Sequence, residues 1–588
     1  MKDFFKFMFA SMLGTFLLMI IMGIMCTFFL LIIITIAIPK GVEVKPNSIL
    51  RIQLDKPVMD RSPKIPLFIG MKNMERPLGL NEILKDIEKA KQDSRIKGIF
   101  LDIRNVSTGI STIKEIRDAL ADFKKTGKFI YAYSEIYTQS SYYLASVADK
   151  IYMNPEGMLE FKGLDAEMTY IKGLMDKLDI KVAVIRHGKF KAATEPLFLD
   201  KMSPENRTQV TAMIGHTWQT ILEGISAGRN IPVSELNHMA DSLSAQEPAL
   251  ALKRHLIDGM IYQDAVEDSL RKALHLQGNK EIPYISLEKY NCVPEKHMLK
   301  KIEQENKIAI IYALGDIVSG EGDDRTIGSD RISKAIRKAR EDDHVKAIVL
   351  RVNSPGGSGL ASDVIWREVD LAAKKKPVVA SMGDVAASGG YYISCAATKI
   401  YADPTTITGS IGVFGVIPNM KDFFNKKLGI TFDDARTNAN SDFVSITKPL
   451  PDYQQKYLQA QIERFYDNFI TKVADGRKLP KARVDSIGQG RVWNAVDAKK
   501  IGLVDEFGGL NDAIGAAAKL ANLTSFRTIS LPEQKDPWLE LINQITGNTE
   551  YSILEKELGS DYKYFQIIRD VKDMKGIQAR MPFGISVN

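Results

Sequence analysis

LKDIEKAKQDSRIKGIFLDI (Leu84–Ile103) and SKAIRKAREDDHVKAIVLRV (Ser333–Val352) align without a gap at an offset of 249 residues, with eight identities in twenty positions. The same offset pairs SSYYLASVADKIYMNP (Ser140–Pro155) with GGYYISCAATKIYADP (Gly389–Pro404). Nearly the same offset pairs SAGRNIP with ADGRKLP, and LIDGM with LVDEF. Self-similarity at one spacing is the mark of a duplicated unit. In each copy, amphipathic stretches such as Ile332–Arg340 alternate with short apolar runs such as KAIVLRV, PVVASM and KIYAD. That alternation predicts an α/β domain with a largely parallel sheet. The copies are expected at residues 46–285 and 305–525, with a charged linker at 286–304 and a tail at 526–588.

The amino terminus is of another kind. No charged residue occurs from Phe7 to Pro39, and about 20 apolar residues suffice to cross a bilayer core. Residues 1–45 therefore read as a stub and a retained membrane anchor, since IAIPKG offers no convincing small-x-small cleavage site. Lys2 and Lys6 precede the span while Lys40, Lys45 and Arg51 follow it, so positive charge alone does not orient it.

Composition excludes several classes of function. The 79 basic and 72 acidic residues leave a net charge of +7, with no basic stripe interleaved with aromatics, so no nucleic acid is expected as partner. Cys26, Cys292 and Cys395 have neither disulfide nor zinc spacing. With no metal-ligand cluster and no phosphate-binding glycine loop, neither metal nor cofactor is expected.

The chemistry falls where the two copies differ. GDVAASGGYYIS (Gly383–Ser394) holds Ser388 after an apolar strand, at the end where ligands gather in parallel α/β sheets. By itself a serine beside glycines is an ordinary turn or helix cap. NSPGGS supplies Gly356 and Gly357, which with Gly389 are candidate backbone donors to an oxyanion. In the first copy Gln139 stands at the register of Ser388, and NVSTG replaces SPGGS. Conversely, RHGKFKAATEPL (Arg186–Leu197) carries lysines where the second copy's RTNANSDFVSITKPL has none between Arg436 and Thr447. Each copy thus holds half of a site.

A serine hydroxyl needs a base to attack at neutral pH, and a lysine removed from water can serve, because desolvation disfavours the ammonium. Lys191, beside two alanines, is the preferred base, with Lys189 as fallback and His187 as the imidazole rival. Ser410 in TITGSIGVFG is the hydroxyl that would orient the amine, against a plain turn-capping role.

Together VNSPGG, GDVAASGGYYIS, TGSIGVFG, GKFKAATEPL and GRVWNAVDA resemble the long form of signal peptide peptidase A, also called protease IV. The resemblance implies tandem duplicated crotonase/Clp-protease-like α/β domains behind the transmembrane helix, and a Ser-Lys dyad. Ser388 would be the nucleophile, Lys191 the general base, Ser410 the positioning hydroxyl, and the amides of Gly356 or Gly357 and of Gly389 the oxyanion hole. It also implies a homo-oligomer, expected as a tetramer, anchored in membrane lipid with its amino terminus in the cytoplasm. The body would lie on the periplasmic side of the bacterial inner membrane and cut released signal peptides. Two alternatives stand beside it: an acyl-thioester enzyme on the same fold, and a non-catalytic membrane scaffold.

Overall fold

Helix Leu80–Gln92 buries Leu80, Ile83, Leu84, Ile87 and Ala90, and helix Ser329–Glu341 buries Ile332, Ala335, Ile336 and Ala339. Spacings of three and four put one apolar stripe on a helix face, and in both copies that stripe packs on a parallel sheet. The computed structural model describes residues 2–37, 42–62, 78–278, 280–294, 305–534, 577–581 and 586–587. In the tail, the apolar spacing around Trp538 and Leu541 predicts a packing helix, and that segment lies outside the described residues.

In the first copy the strand order is Tyr284–Ser286, Ser48–Ile52, Ile96–Asp102, Phe129–Tyr137, Lys150–Leu159, Gly259–Met260, every pair parallel. In the second copy the order is Val492–Asn494, Ile407–Gly409, Val378–Ala387, Val345–Ser354, Lys307–Leu314, Arg527–Leu531. Only Val492–Asn494 runs antiparallel along this path, while Lys399–Ala402 also pairs with Val378–Ala387. Strands covered on both faces read as continuous apolar runs, as IKGIFLD and VKAIVLRV do. Residues Arg527–Leu531, which the sequence leaves to the tail, pair with Lys307–Ile311 of the second sheet.

The duplication extends to details. Helices Pro204–Arg229 and Asp452–Arg477 are both 26 residues long, and each ends on a left-handed residue, Asn230 (φ 55°) and Lys478 (φ 54°). Such a residue turns the chain off a helix end.

A third sheet joins what the sequence separates: Thr326–Gly328, Asp316–Val318, Gly356–Ser358, Gln578–Arg580, Phe414–Asn419 and Lys181–Arg186. Its last two strands come from different copies and pair antiparallel over six positions, from Phe414 opposite Arg186 to Asn419 opposite Lys181. A buried ionic cluster also crosses between the copies. Arg351 of the second copy donates to Asp60 (2.5 Å) and Glu115 (2.7 Å) of the first and to Ser381 (3.0 Å). Asp384 accepts from the backbone N–H (3.0 Å) and hydroxyl (2.7 Å) of Thr112.

At the amino terminus, helix Lys2–Ala37 contains one segment, Asp3–Phe29, long and apolar enough to cross a membrane.

Candidate active site

Strand Val378–Ala387 ends at Ser388, whose backbone takes φ 55° and ψ −112° before helix Gly389–Ser394 begins. A non-glycine residue there is strained, at a cost of about 1–3 kcal/mol. The conformation is held from both sides: the Ser388 N–H donates to the Gly409 carbonyl at 2.8 Å, and the Tyr392 N–H donates to the Ser388 carbonyl at 2.8 Å. The hydroxyl is completely buried.

Lys191 reaches that hydroxyl from the other copy. Strand Lys181–Arg186, locked onto Phe414–Asn419, launches the loop His187–Phe190. Lys191 itself caps the short 3₁₀ turn Ala192–Thr194. Its Nζ stands 2.8 Å from Ser388 Oγ, 2.9 Å from Ser410 Oγ and 3.1 Å from the Ser410 carbonyl oxygen. A neutral amine has two hydrogens and one lone pair; Nζ lies within donating distance of both Ser410 oxygens and of Ser388 Oγ, while the Ser388 hydroxyl donates to the Gly412 carbonyl at 3.3 Å, so rotation about its C–O bond is what brings its proton to the lone pair. Ser410 Oγ lies 3.4 Å from the Gly490 carbonyl, to which it donates, leaving its oxygen to accept from lysine.

Burial drives the Lys191 amine well below the ordinary lysine range, and among the described residues no carboxylate opposes that push. Glu195, one turn further on and also buried, is held by Ser203 Oγ (2.5 Å) and Asn206 Nδ2 (2.9 Å). A lysine without an anionic partner in a dry site loses its proton readily and is available as a base.

The rivals stand elsewhere. His187 stacks on Tyr466 with ring centroids 3.7 Å apart, and its Nδ1 is 2.6 Å from Glu463. Lys189 is exposed, its amine 5.5 Å from the Phe190 ring centroid. The three glycines gather beside Ser388. Gly356 has φ 104°, and a Cβ built on it would lie 2.8 Å from the Gly389 nitrogen. The Gly356 N–H donates to Ser354 Oγ at 3.1 Å, however, so among the candidate donors its amide is committed inside the loop. Gly357 is a ladder residue of the third sheet.

Gly490 is not singled out by the sequence, yet it shapes the lysine's seat. It has φ 77°, and a Cβ there would stand 2.6 Å from that of Lys191. Its segment is clamped through Gly490 N–H to the Ile411 carbonyl (2.7 Å) and Phe190 N–H to the Gln489 carbonyl (3.1 Å). The GQG spacing just before RVW is the available signal.

A desolvated amine against a buried serine on a strained turn, beside backbone amides, defines a hydrolytic enzyme of the nucleophilic-serine class. The comparisons place it further. The model for Peptidase family S49 matches residues 122–277 and 370–524, once in each copy. The chain is 39% identical over 487 residues to "Protease 4" of Salmonella typhi, covering 81% of this chain and 77% of that one. It is 31% identical to "Serine protease SPPA, chloroplastic" of Arabidopsis thaliana, over 86% and 74% of the two chains. Among solved structures, the ClpP1 N165D mutant from Listeria monocytogenes aligns with 37% of this chain and 99% of its own, at 16% identity and a TM-score of 0.25. The chain belongs to peptidase family S49. It is a serine peptidase built from tandem repeats, and the acyl-thioester and scaffold alternatives fall away.

Proposed function

We propose that Ser388 is the nucleophile and Lys191 the general base of a peptidase that hydrolyses extended peptides, signal-peptide remnants among them. The contact of 2.8 Å between Lys191 Nζ and Ser388 Oγ carries this reading. Lys191 takes the hydroxyl proton as Ser388 Oγ attacks the substrate carbonyl. The amides of Gly357 and Gly389 stabilise the oxyanion, Gly356 contributing its unusual backbone rather than a donor. Lys191 then returns the proton to the leaving amine, and a water activated by the same amine releases the acyl group. Ser410 is a positioning residue, acting through the two bonds it accepts from Lys191.

The apolar helix Lys2–Ala37 anchors the chain in membrane lipid as a single span, with the peptidase body on the periplasmic side. The body works as a homo-tetramer. Residues 431–436, which the repeat sets against strand Lys181–Arg186, form no strand and are exposed, as are Leu428, Ile430, Phe432 and Phe443 around them. An exposed apolar patch of this kind marks an association surface, and a second copy would cover it. The decisive experiment labels the full chain in detergent with a fluorophosphonate and measures peptide hydrolysis. Ser388→Ala is expected to abolish both and Lys191→Ala to cut hydrolysis by about 10³-fold. Full activity in Lys191→Ala sinks the assignment of the base.

A further inference from the structure

Lys191 is seated by a turn, and the turn is held by groups that the chemistry above does not use. Gln489 takes φ 53° and Gly490 φ 77°, two residues of positive φ in succession. That conformation is costly for the one with a side chain, so contacts from outside must maintain it. The Gln489 N–H donates to Tyr466 Oη at 3.1 Å, and the Gln489 carbonyl accepts from the Phe190 N–H at 3.1 Å. The side-chain amide donates from Nε2 to Asp485 Oδ1 at 2.7 Å, and Tyr466 Oη donates to the same oxygen at 2.7 Å. Tyr466 is buried, and burial raises its phenol above the ordinary value, so it stays protonated, donating to the carboxylate while accepting from Gln489.

The loop of the first copy that carries Lys191 closes on the same tyrosine. His187 lies over the Tyr466 ring, with centroids 3.7 Å apart and planes 20° from parallel. Its Nδ1 is 2.6 Å from Glu463 Oε2, which stands one turn before Tyr466 on helix Asp452–Arg477. A carboxylate only accepts, so Nδ1 carries the hydrogen and Nε2 is left to accept from the Gln489 amide at 3.4 Å. Gly188 follows at φ 85°, and a Cβ on it would stand 2.4 Å from the Gln489 carbonyl oxygen. Loop and turn therefore touch from residue 188 to residue 191, where Gly490 abuts the lysine.

We propose that His187, Tyr466 and Gln489 are positioning residues that hold the Lys191 amine against Ser388 and keep water from it. This rests on the reading of Lys191 as the base given above. The three act through Gly490, whose carbonyl accepts from Ser410 Oγ at 3.4 Å and whose N–H is fixed on the Ile411 carbonyl at 2.7 Å. Withdrawing Tyr466 Oη leaves the Gln489 N–H without its acceptor and lets the turn relax away from Lys191. The amine then moves off the serine, and water reaches it. Because burial is what lowers this amine, hydration returns it toward the ordinary lysine value. The charged groups around the network are Glu463, Asp485, the exposed Lys189, Arg186, whose Nη1 donates to the Lys191 carbonyl at 3.1 Å, and Arg491, 5.1 Å from the Phe190 ring centroid. Substitution of Tyr466 or His187 leaves all of them in place.

Hydrolysis of a fluorogenic peptide by the full chain in detergent, followed across pH, tests this. In Tyr466→Phe, which keeps the ring and removes one oxygen, kcat at neutral pH is expected to fall about tenfold, with KM within about twofold of wild type. The rising limb of its pH profile is expected about one pH unit higher, so the loss shrinks as the pH climbs. His187 is partly exposed, and His187→Ala is expected to move the limb in the same direction without opening the core. A wild-type limb in whichever of these variants fold, or an equal loss at every pH, makes the contacts merely structural and overturns the proposal. Lys191→Ala in the same assay separates the two readings. If it is inactive, unmoved limbs overturn the network alone; if it is fully active, the base assignment fails and the network with it.

Discussion

At the position where the second copy holds Ser388, the first holds Gln139, and the two residues do opposite work. Ser388 sits in a strained turn at positive φ with its hydroxyl aimed at an amine from elsewhere. Gln139 begins an ordinary helix capped by Thr138 at φ −71°. Its side chain is consumed by the backbone around it: Oε1 accepts from the N–H groups of Lys162 (2.9 Å) and Gly163 (2.8 Å), and Nε2 donates to the Gly163 carbonyl (2.8 Å). The reverse difference holds for the connecting segments. In the first copy, residues 191–197 are buried against the second, whereas residues 429–442 of the second copy are exposed almost throughout. One fold has been kept twice, and the strained serine turn of one copy meets the desolvated amine of the other at the joint between them. The lesson is that the reactive geometry belongs to the interface and not to either unit.

The sharpest way to break that comparison is to exchange the roles. Ser388→Ala is expected to remove all fluorophosphonate labelling, while Gln139→Ser gains none, because residue 139 begins an ordinary helix after Thr138 and lacks the positive-φ turn. Labelling of the new hydroxyl in the Gln139→Ser chain would show the first copy to be merely unarmed. Next in size is the joint between copies. Arg351→Met leaves Asp60 and Glu115 buried without their partner, and removing one member of a buried ion pair costs about 3–5 kcal/mol. Chemical denaturation reads that loss, and a change under about 1 kcal/mol, the range of exposed pairs, would mean the copies are held by the strand pairing alone. Ser410→Ala is expected to lower kcat by about 10²-fold with little change in KM, as misplacement of a reacting group does.

The pH dependence sharpens the same contrast. On the proposed mechanism Lys191 acts as a base only when neutral, so kcat/KM is expected to rise with pH along a limb set below the ordinary lysine range by burial. A limb near the unperturbed value of about 10.4 would place the base in water instead. Stability follows by linkage. The unfolded chain binds a proton at Lys191 that the folded chain resists, so this residue makes stability fall as pH drops from the unfolded lysine value toward its own lower one. Lys191→Met is therefore expected to melt at a higher temperature than wild type at neutral pH, with the gap closing as the pH approaches the unfolded lysine value. This is the smallest of the effects, and an unchanged or lower Tm at neutral pH would contradict it.

Much of this was legible in the residues. The offset of 249 residues made each copy a guide to the other, and the loss of Ser388 from one and of the lysine from the other pointed to a shared site. Lys191 could be preferred over Lys189 because its alanine neighbours forecast burial, and the structure buries the one and exposes the other. Three things stayed hidden. The commitment of the Gly356 amide to Ser354 depends on a loop conformation. The role of Gly490 depends on a chain segment 299 residues away in sequence from Lys191. The insertion of Gln578–Arg580 into the third sheet is a pairing across more than 200 residues, which no local pattern encodes.

By itself the sequence determined the duplication, the alternation of helices and parallel strands, the apolar amino-terminal helix, and which residue types had been kept or lost in each copy. These are properties of periodicity and composition, set by neighbours a few positions apart. Only the tertiary structure decided that an amine and a hydroxyl 197 positions apart in the chain stand 2.8 Å from each other in a dry pocket. The strand pairing between the copies imposes that distance, and exclusion of water, which is a collective result of packing, drives the amine well below the ordinary lysine range.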